Sequence, residues 1–149
     1  MTLYFDDREV GAEFRSVGRT VTEADIQAFA GLSGDWNPLH TDEVWVRENT
    51  AFDGRIAHGL LTLIIGSGIR TPGIDELQIL GYLEVQRQMK APVYPGDTVR
   101  VVQTIEQRTP SRSRPGSGVV HVRVNTFNQQ GDLVQTGIDT LLIGGREEA

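Results

Sequence analysis

The sequence predicts an α+β domain in which a long antiparallel sheet curls around one apolar helix. Two observations carry this reading. Leu77 to Lys90, Thr98 to Arg108, Gly118 to Asn128 and Leu133 to Ile143 are long runs rich in Val, Ile, Thr and Leu with partial period-two alternation, the pattern of strands. Upstream, in "AFDGRIAHGLLTLIIGSGIRT", Leu60, Leu61, Leu63, Ile64, Ile65 and Ile69 cover every side of a helical wheel, so this helix must be surrounded by other structure. A chain of 149 residues is enough for one domain with a core and too short for two ordinary ones, so residues 1–149 are read as a single domain.

Taken in order, "EFRSVGRTV" alternates well enough for a first strand, and "TEADIQAFAGL" then changes to helical spacing. Thr22 reads as the N-cap with Asp25 completing a near capping box, Ile26, Phe29 and Ala30 give the apolar side, and Gly31 lies near the end. Ser33 to Thr41 holds Gly, Asp, Asn and Pro and reads as a loop, and "DEVWVREN" as a short helix. Between the later strands, "YPGD" and "NQQGD" are turns, whereas "TPSRSRPGSG" is a longer basic loop.

Composition narrows the function. With no cysteine there is no disulfide framework, thiolate nucleophile or Cys-ligated metal, which fits a reducing cytoplasm. The acidic "MTLYFDDREV" is unlike a secretory signal, and "LLTLIIGSGI" is about half the ~20 residues of a membrane span. A net charge of −6 gives no general attraction to nucleic acid or to an acidic membrane, so neither is expected as a partner.

The chemistry concentrates in "SGDWNPLHTD" and "RIAHGLL", which hold two of the three histidines. A histidine near neutral pH passes protons, and a carboxylate beside it can orient the ring or share a water with it. Asp35 and His40 fit that description, in a loop stiffened by Pro38. Gly59 falls near the start of the apolar helix, where unpaired N–H groups and the helix dipole favour developing negative charge. The same residues also fit plainer roles: Asp35 and His40 as turn and surface groups, His58 as packing at the helix start, Trp36 and Trp45 as packing anchors. Arg108, Arg112 and Arg114 fit a solvated loop, and "GSG" at Gly66 to Gly68 fits close helix–sheet packing. The spacing of Asp35, His40 and His58 matches no metal motif, so no metal is expected.

"SGDWNPLHTD", "AFDGRIAHGLLTLIIGSGI" and "KAPVYPGDTV" together resemble the MaoC-like dehydratases and (R)-specific enoyl-CoA hydratases of the hot-dog superfamily, from about Val21 to Ile143. The resemblance implies a sheet wrapped around one helix, Asp35 and His40 as the catalytic pair, and Gly59 N–H as donor to the thioester carbonyl. It matches Ser67 to a serine two turns into the family's helix; Asn37 and His58 of the same motifs are also read as substrate-binding, and by their charge Arg112 and Arg114 of the basic loop are candidates for the coenzyme A phosphates. No cofactor is expected beyond the coenzyme A of the substrate. The expected partner is a second copy of the chain, as a homodimer or dimer of dimers. Trp36, where Phe is common, and the longer basic loop depart from the family pattern and bear on substrate choice. Two alternatives stay open: a hot-dog acyl-CoA thioesterase, and a non-catalytic acyl-CoA-binding subunit.

Overall fold

The computed structural model describes residues 1–146. Strands β1 (Glu13–Arg15), β2 (Arg19–Thr20), β3 (Ile79–Met89), β4 (Thr98–Pro110), β5 (Gly118–Phe127) and β6 (Leu133–Ile143) form one antiparallel sheet. Its order is β1-β4-β5-β6-β3, with β2 also on β4. Helices α1 (Glu23–Ser33), α2 (Pro38–Thr41), α3 (Glu43–Asn49) and α4 (Gly59–Gly68) precede the long strands. Among the described residues, no helix is long and apolar enough to cross a membrane.

The four long strands lie where their alternation predicts. On β4 and β5, Val99, Val101 and Ile105 with Val120, Val122 and Val124 turn inward to Leu61 and Ile69, the apolar side chains at α4, and form the core. Gly66 of α4 faces this sheet: an added Cβ would stand 3.5 Å from both Val101 Cγ2 and Thr126 Oγ1. Gly66 of the "GSG" segment therefore lets the helix lie close against the sheet.

Three local expectations are corrected. The single first strand is two short ones, interrupted at Ser16–Gly18. The loop after α1 contains a helical turn, α2, because Pro38 sits at its first position and the Asn37 side chain accepts from Leu39 N–H. Helix α1 has Gly31 near its end, as read, and is closed by Gly34, whose φ of 75° is the left-handed cap that glycine adopts without a Cβ penalty. Finally, α4 is not enclosed by its own chain. Leu60 and Ile64 are 59% and 51% exposed, because the sheet of one chain covers only the opposite side of the helix.

The capping box is as read: Thr22 Oγ1 accepts from Asp25 N–H, and Asp25 accepts from Thr22 N–H. Asp25 also pairs with Arg19 at 2.8 Å, and chiefly for that reason its carboxyl is held down to about 2, against an ordinary 3.8. A depressed carboxylate adds stability that is complete above pH 4 and is lost as pH falls through about 2. Acid unfolding of Asp25→Asn, followed by circular dichroism, is expected to show a shallower loss of stability between pH 4 and pH 2 than the parent. An identical profile would contradict this role for the box.

Candidate active site

The site is assembled by the segment that leads into α4. Ile56 N–H donates to Leu39 O at 3.0 Å and Ala57 N–H to Val93 O at 2.7 Å, so the stretch before Gly59 is held between α2 and the β3–β4 connection. Arg55, one residue earlier, pairs with Glu23 of α1 at 2.8 Å and Glu43 of α3 at 3.1 Å. Three helices are thereby tied to one short segment.

His40 is buried, and its Nδ1 lies 2.7 Å from Ile56 O. A carbonyl only accepts, so Nδ1 carries the hydrogen and the lone pair of the neutral ring is on Nε2. Burial is the main cause that pushes His40 below its ordinary value of 6.5, with the neighbouring His58 adding to the shift and the Ile56 bond and Asp35 opposing it. His40 is thus a neutral ring at neutral pH.

His58, the N-cap of α4, stacks on His40 with ring centroids 3.7 Å apart and packs against Phe29 on its other contact. Its Nε2–H donates to Asp35 O at 3.0 Å, and it is only 2% exposed. His58 is therefore a buried group that bonds the Asp35 backbone and stacks on the His40 ring. Asp35 is exposed, and its Oδ1 accepts from Asn37 N–H. One ligand atom from each of Asp35, His40 and His58 falls within 4.8 Å of the others, a separation that one water can span.

The same three residues satisfy the proximity of a metal cluster, but the rings do not fit an ion. Each imidazole directs its lone pair in its own plane, and a zinc ion would sit about 2 Å from each nitrogen. Two planes inclined by only 26° with centroids 3.7 Å apart do not meet within that distance.

A cleft of about 300 Å³ adjoins the cluster, with Phe52, Ile56, Gly59, Met89, Lys90 and Gln135 among its walls. Asp35 and His40 are not among them, so cleft and cluster meet through the Ile56–Gly59 segment. Gly59 is the first residue of α4, where helical geometry leaves N–H groups without intrahelical partners. An added Cβ here would stand 3.0 Å from Met89 Cγ and Cε, so glycine lets this side chain lie against the helix start.

Other expected residues fall elsewhere. Asn37 is exposed and caps α2. Ser67 lies eight residues beyond Gly59, about 12 Å along the helix, and its Oγ donates to Ile64 O. Arg112 and Arg114 occupy the β4–β5 loop, beside the Gly118–Ile143 pairing, whereas Gln135 at the cleft pairs with Thr126. That places the loop about 27 Å along β6 from the cleft, out of reach of the site of its own chain. Trp36 and Trp45 are 55% and 38% exposed and are not packing anchors. The chain's single lysine, Lys90, is the cation at the cleft, and sequence reading missed it because only the β3 register brings it there.

A sheet wrapped around one helix, with an Asp–His pair at that helix's N-terminus, defines a hot-dog protein of the hydratase type. Residues 7–128 match the MaoC like domain, and the chain belongs to that family. It is 38% identical over 112 residues to an (R)-specific enoyl-CoA hydratase of Rhodospirillum rubrum, spanning 73% of this chain and 74% of that one. To the (R)-specific enoyl-CoA hydratase of Aeromonas caviae it is 33% identical, over 87% of this chain and 90% of the relative. The crystal structure of a MaoC-like dehydratase from Rhodospirillum rubrum superposes with a TM-score of 0.82 at 32% identity, covering 97% and 98% of the two chains.

His58→Phe keeps an aromatic ring on His40 but deletes the donor to Asp35 O. The variant is expected to fold with a melting temperature close to the parent and to lose turnover several-fold with little change in KM, because only the placement of Asp35 is loosened. Full turnover in the folded variant would show that Asp35 needs no such support.

Proposed function

We propose that this chain adds water across the double bond of a trans-2-enoyl-CoA to give the (R)-3-hydroxyacyl-CoA, and catalyses the reverse elimination. The observation that carries this reading is the His40–Ile56 hydrogen bond, which makes a neutral histidine with its basic nitrogen free, beside a carboxylate. The stereochemistry and the thioester class are supported by the relatives named above. Water held by Asp35 and His40 bonds through oxygen to C3 and gives one proton to the pair. The electrons of the C2–C3 bond move onto the thioester oxygen as an enolate. Gly59 N–H and the α4 dipole stabilise that charge. A proton then returns to C2, leaving the enzyme as it began. No metal or redox cofactor takes part, and Lys90 at the cleft mouth offers a charge to the coenzyme A phosphates.

Asp35→Asn and His40→Ala are each expected to abolish nearly all hydration, and the double variant to be scarcely worse than either, because the two act on one water. In the parent, the acid limb of the rate profile should have its midpoint below the ordinary histidine value of 6.5, because burial pushes His40 down. Thiol release from a saturated acyl-CoA, without hydration of an enoyl-CoA, would instead identify a thioesterase. Near-normal hydration by either single variant would overturn the assignment.

The working form is proposed to be a homodimer or dimer of dimers. The uncovered α4 face with Leu60 and Ile64, and strand β3, whose outer edge is unpaired and whose Leu80, Leu83, Val85 and Met89 are exposed, call for a partner surface. A second copy would also bring its own basic loop, the one route by which Arg112 and Arg114 can meet coenzyme A. Ile64→Asp is expected to sediment as a monomer with little activity at concentrations where the parent is dimeric; an active monomeric parent would contradict the proposal.

A further inference from the structure

Gln135 is placed with unusual economy for a polar side chain. It lies on β6, opposite Met89 of β3 and Thr126 of β5, and is only 2% exposed. Its Nε2 donates to Gly59 O at 2.7 Å, while its Oε1 is buried with no hydrogen-bond partner among the described residues. A buried acceptor left without a donor costs stability, and a leucine of similar shape would avoid that cost. Nor does Gly59 need the bond to satisfy its carbonyl, since in α4 that oxygen already accepts from Leu63 N–H by helical geometry. Neither partner gains from this contact as a matter of burial, so the contact is explained by what it fixes.

Resting on the hydratase reading above, we propose that Gln135 is a positioning residue that clamps the first peptide of α4 and so aims the oxyanion donor. Gly59 and its neighbours begin a helix, where backbone is prone to fray, and glycine has the widest torsional freedom of any residue. The Nε2–H bond pins the Gly59 carbonyl to the central sheet, which restricts both Gly59 torsions and therefore the direction of its N–H. Donation to that carbonyl also polarises the peptide it belongs to, strengthening the Leu60 N–H beside it. An oxyanion hole acts by being held in place before charge develops, so the clamp bears on turnover more than on ground-state binding.

Gln135→Leu removes the donor and the orphan acceptor together, and Gln135→Met is a second variant of similar length. Both are expected to melt at or above the parent temperature while kcat for a trans-2-enoyl-CoA falls about tenfold and KM changes little, tenfold being the kinetic equivalent of one net hydrogen bond. Gln135→Glu, which when ionised cannot donate and sets a negative charge near the developing oxyanion, is expected to lose more. In the ligand-free protein, the ¹⁵N relaxation of Gly59 and Leu60 should report greater mobility in the Leu variant. Unchanged kcat, or a fall that tracks a lowered melting temperature in both neutral variants, overturns the inference, as does unchanged relaxation. Loosened amides in a protein whose parent hydrates no enoyl-CoA would overturn the hydratase reading and leave the clamp standing.

Discussion

Ile56 accepts from His40 Nδ1 through its carbonyl oxygen and donates to Leu39 O through its own N–H, and the geometry of the site hangs on this pair of bonds. The first decides which nitrogen of His40 is basic. The second holds the loop that carries Asp35 and His40 against the segment that carries His58 and Gly59. Two stretches of chain with no covalent reason to meet are joined by backbone groups that no side-chain substitution at Ile56 removes. Burial then does the rest of the electrostatics: a desolvated ring stacked on a second imidazole resists protonation, and a neutral ring is the form able to take a proton from water.

Helix α4 connects this site to the whole fold. Its N-terminus carries Gly59, the proposed donor, its buried face with Leu61, Thr62 and Gly66 seats it on the sheet, and its other face is left uncovered. One short helix cannot be apolar all round and enclosed by a single sheet. The same constraint leaves Leu60 and Ile64 uncovered by the chain's own sheet, and the proposed assembly rests on that face.

Much of this was legible in the residues. The long strands showed through their alternation, Thr22 and Asp25 through cap spacing, and Asp35, His40 and Gly59 through a motif whose two halves do meet in space. What was not legible lies in backbone and in register. The carbonyl of Ile56 has no side-chain signature. Gln135 and Lys90 read as unremarkable strand residues until the pairing of β3 with β6 sets them at one cleft. Asn37 and Pro38 look like loop chemistry, yet the same preferences start a helical turn. Arg112 and Arg114 were drawn toward the site by charge alone, and the length of the sheet separates them from it. The stacking of His58 on His40 and its bond to Asp35 O have no signature in the sequence.

The central claim is that His40 is a neutral ring, protonated on Nδ1, at the pH where the protein works. Two-dimensional ¹⁵N NMR of the histidine rings at neutral pH tests it directly, because protonated and lone-pair nitrogens resonate far apart. The account predicts a protonated Nδ1 and a bare Nε2 for His40. An imidazolium, or a neutral ring with its hydrogen on Nε2, would contradict it.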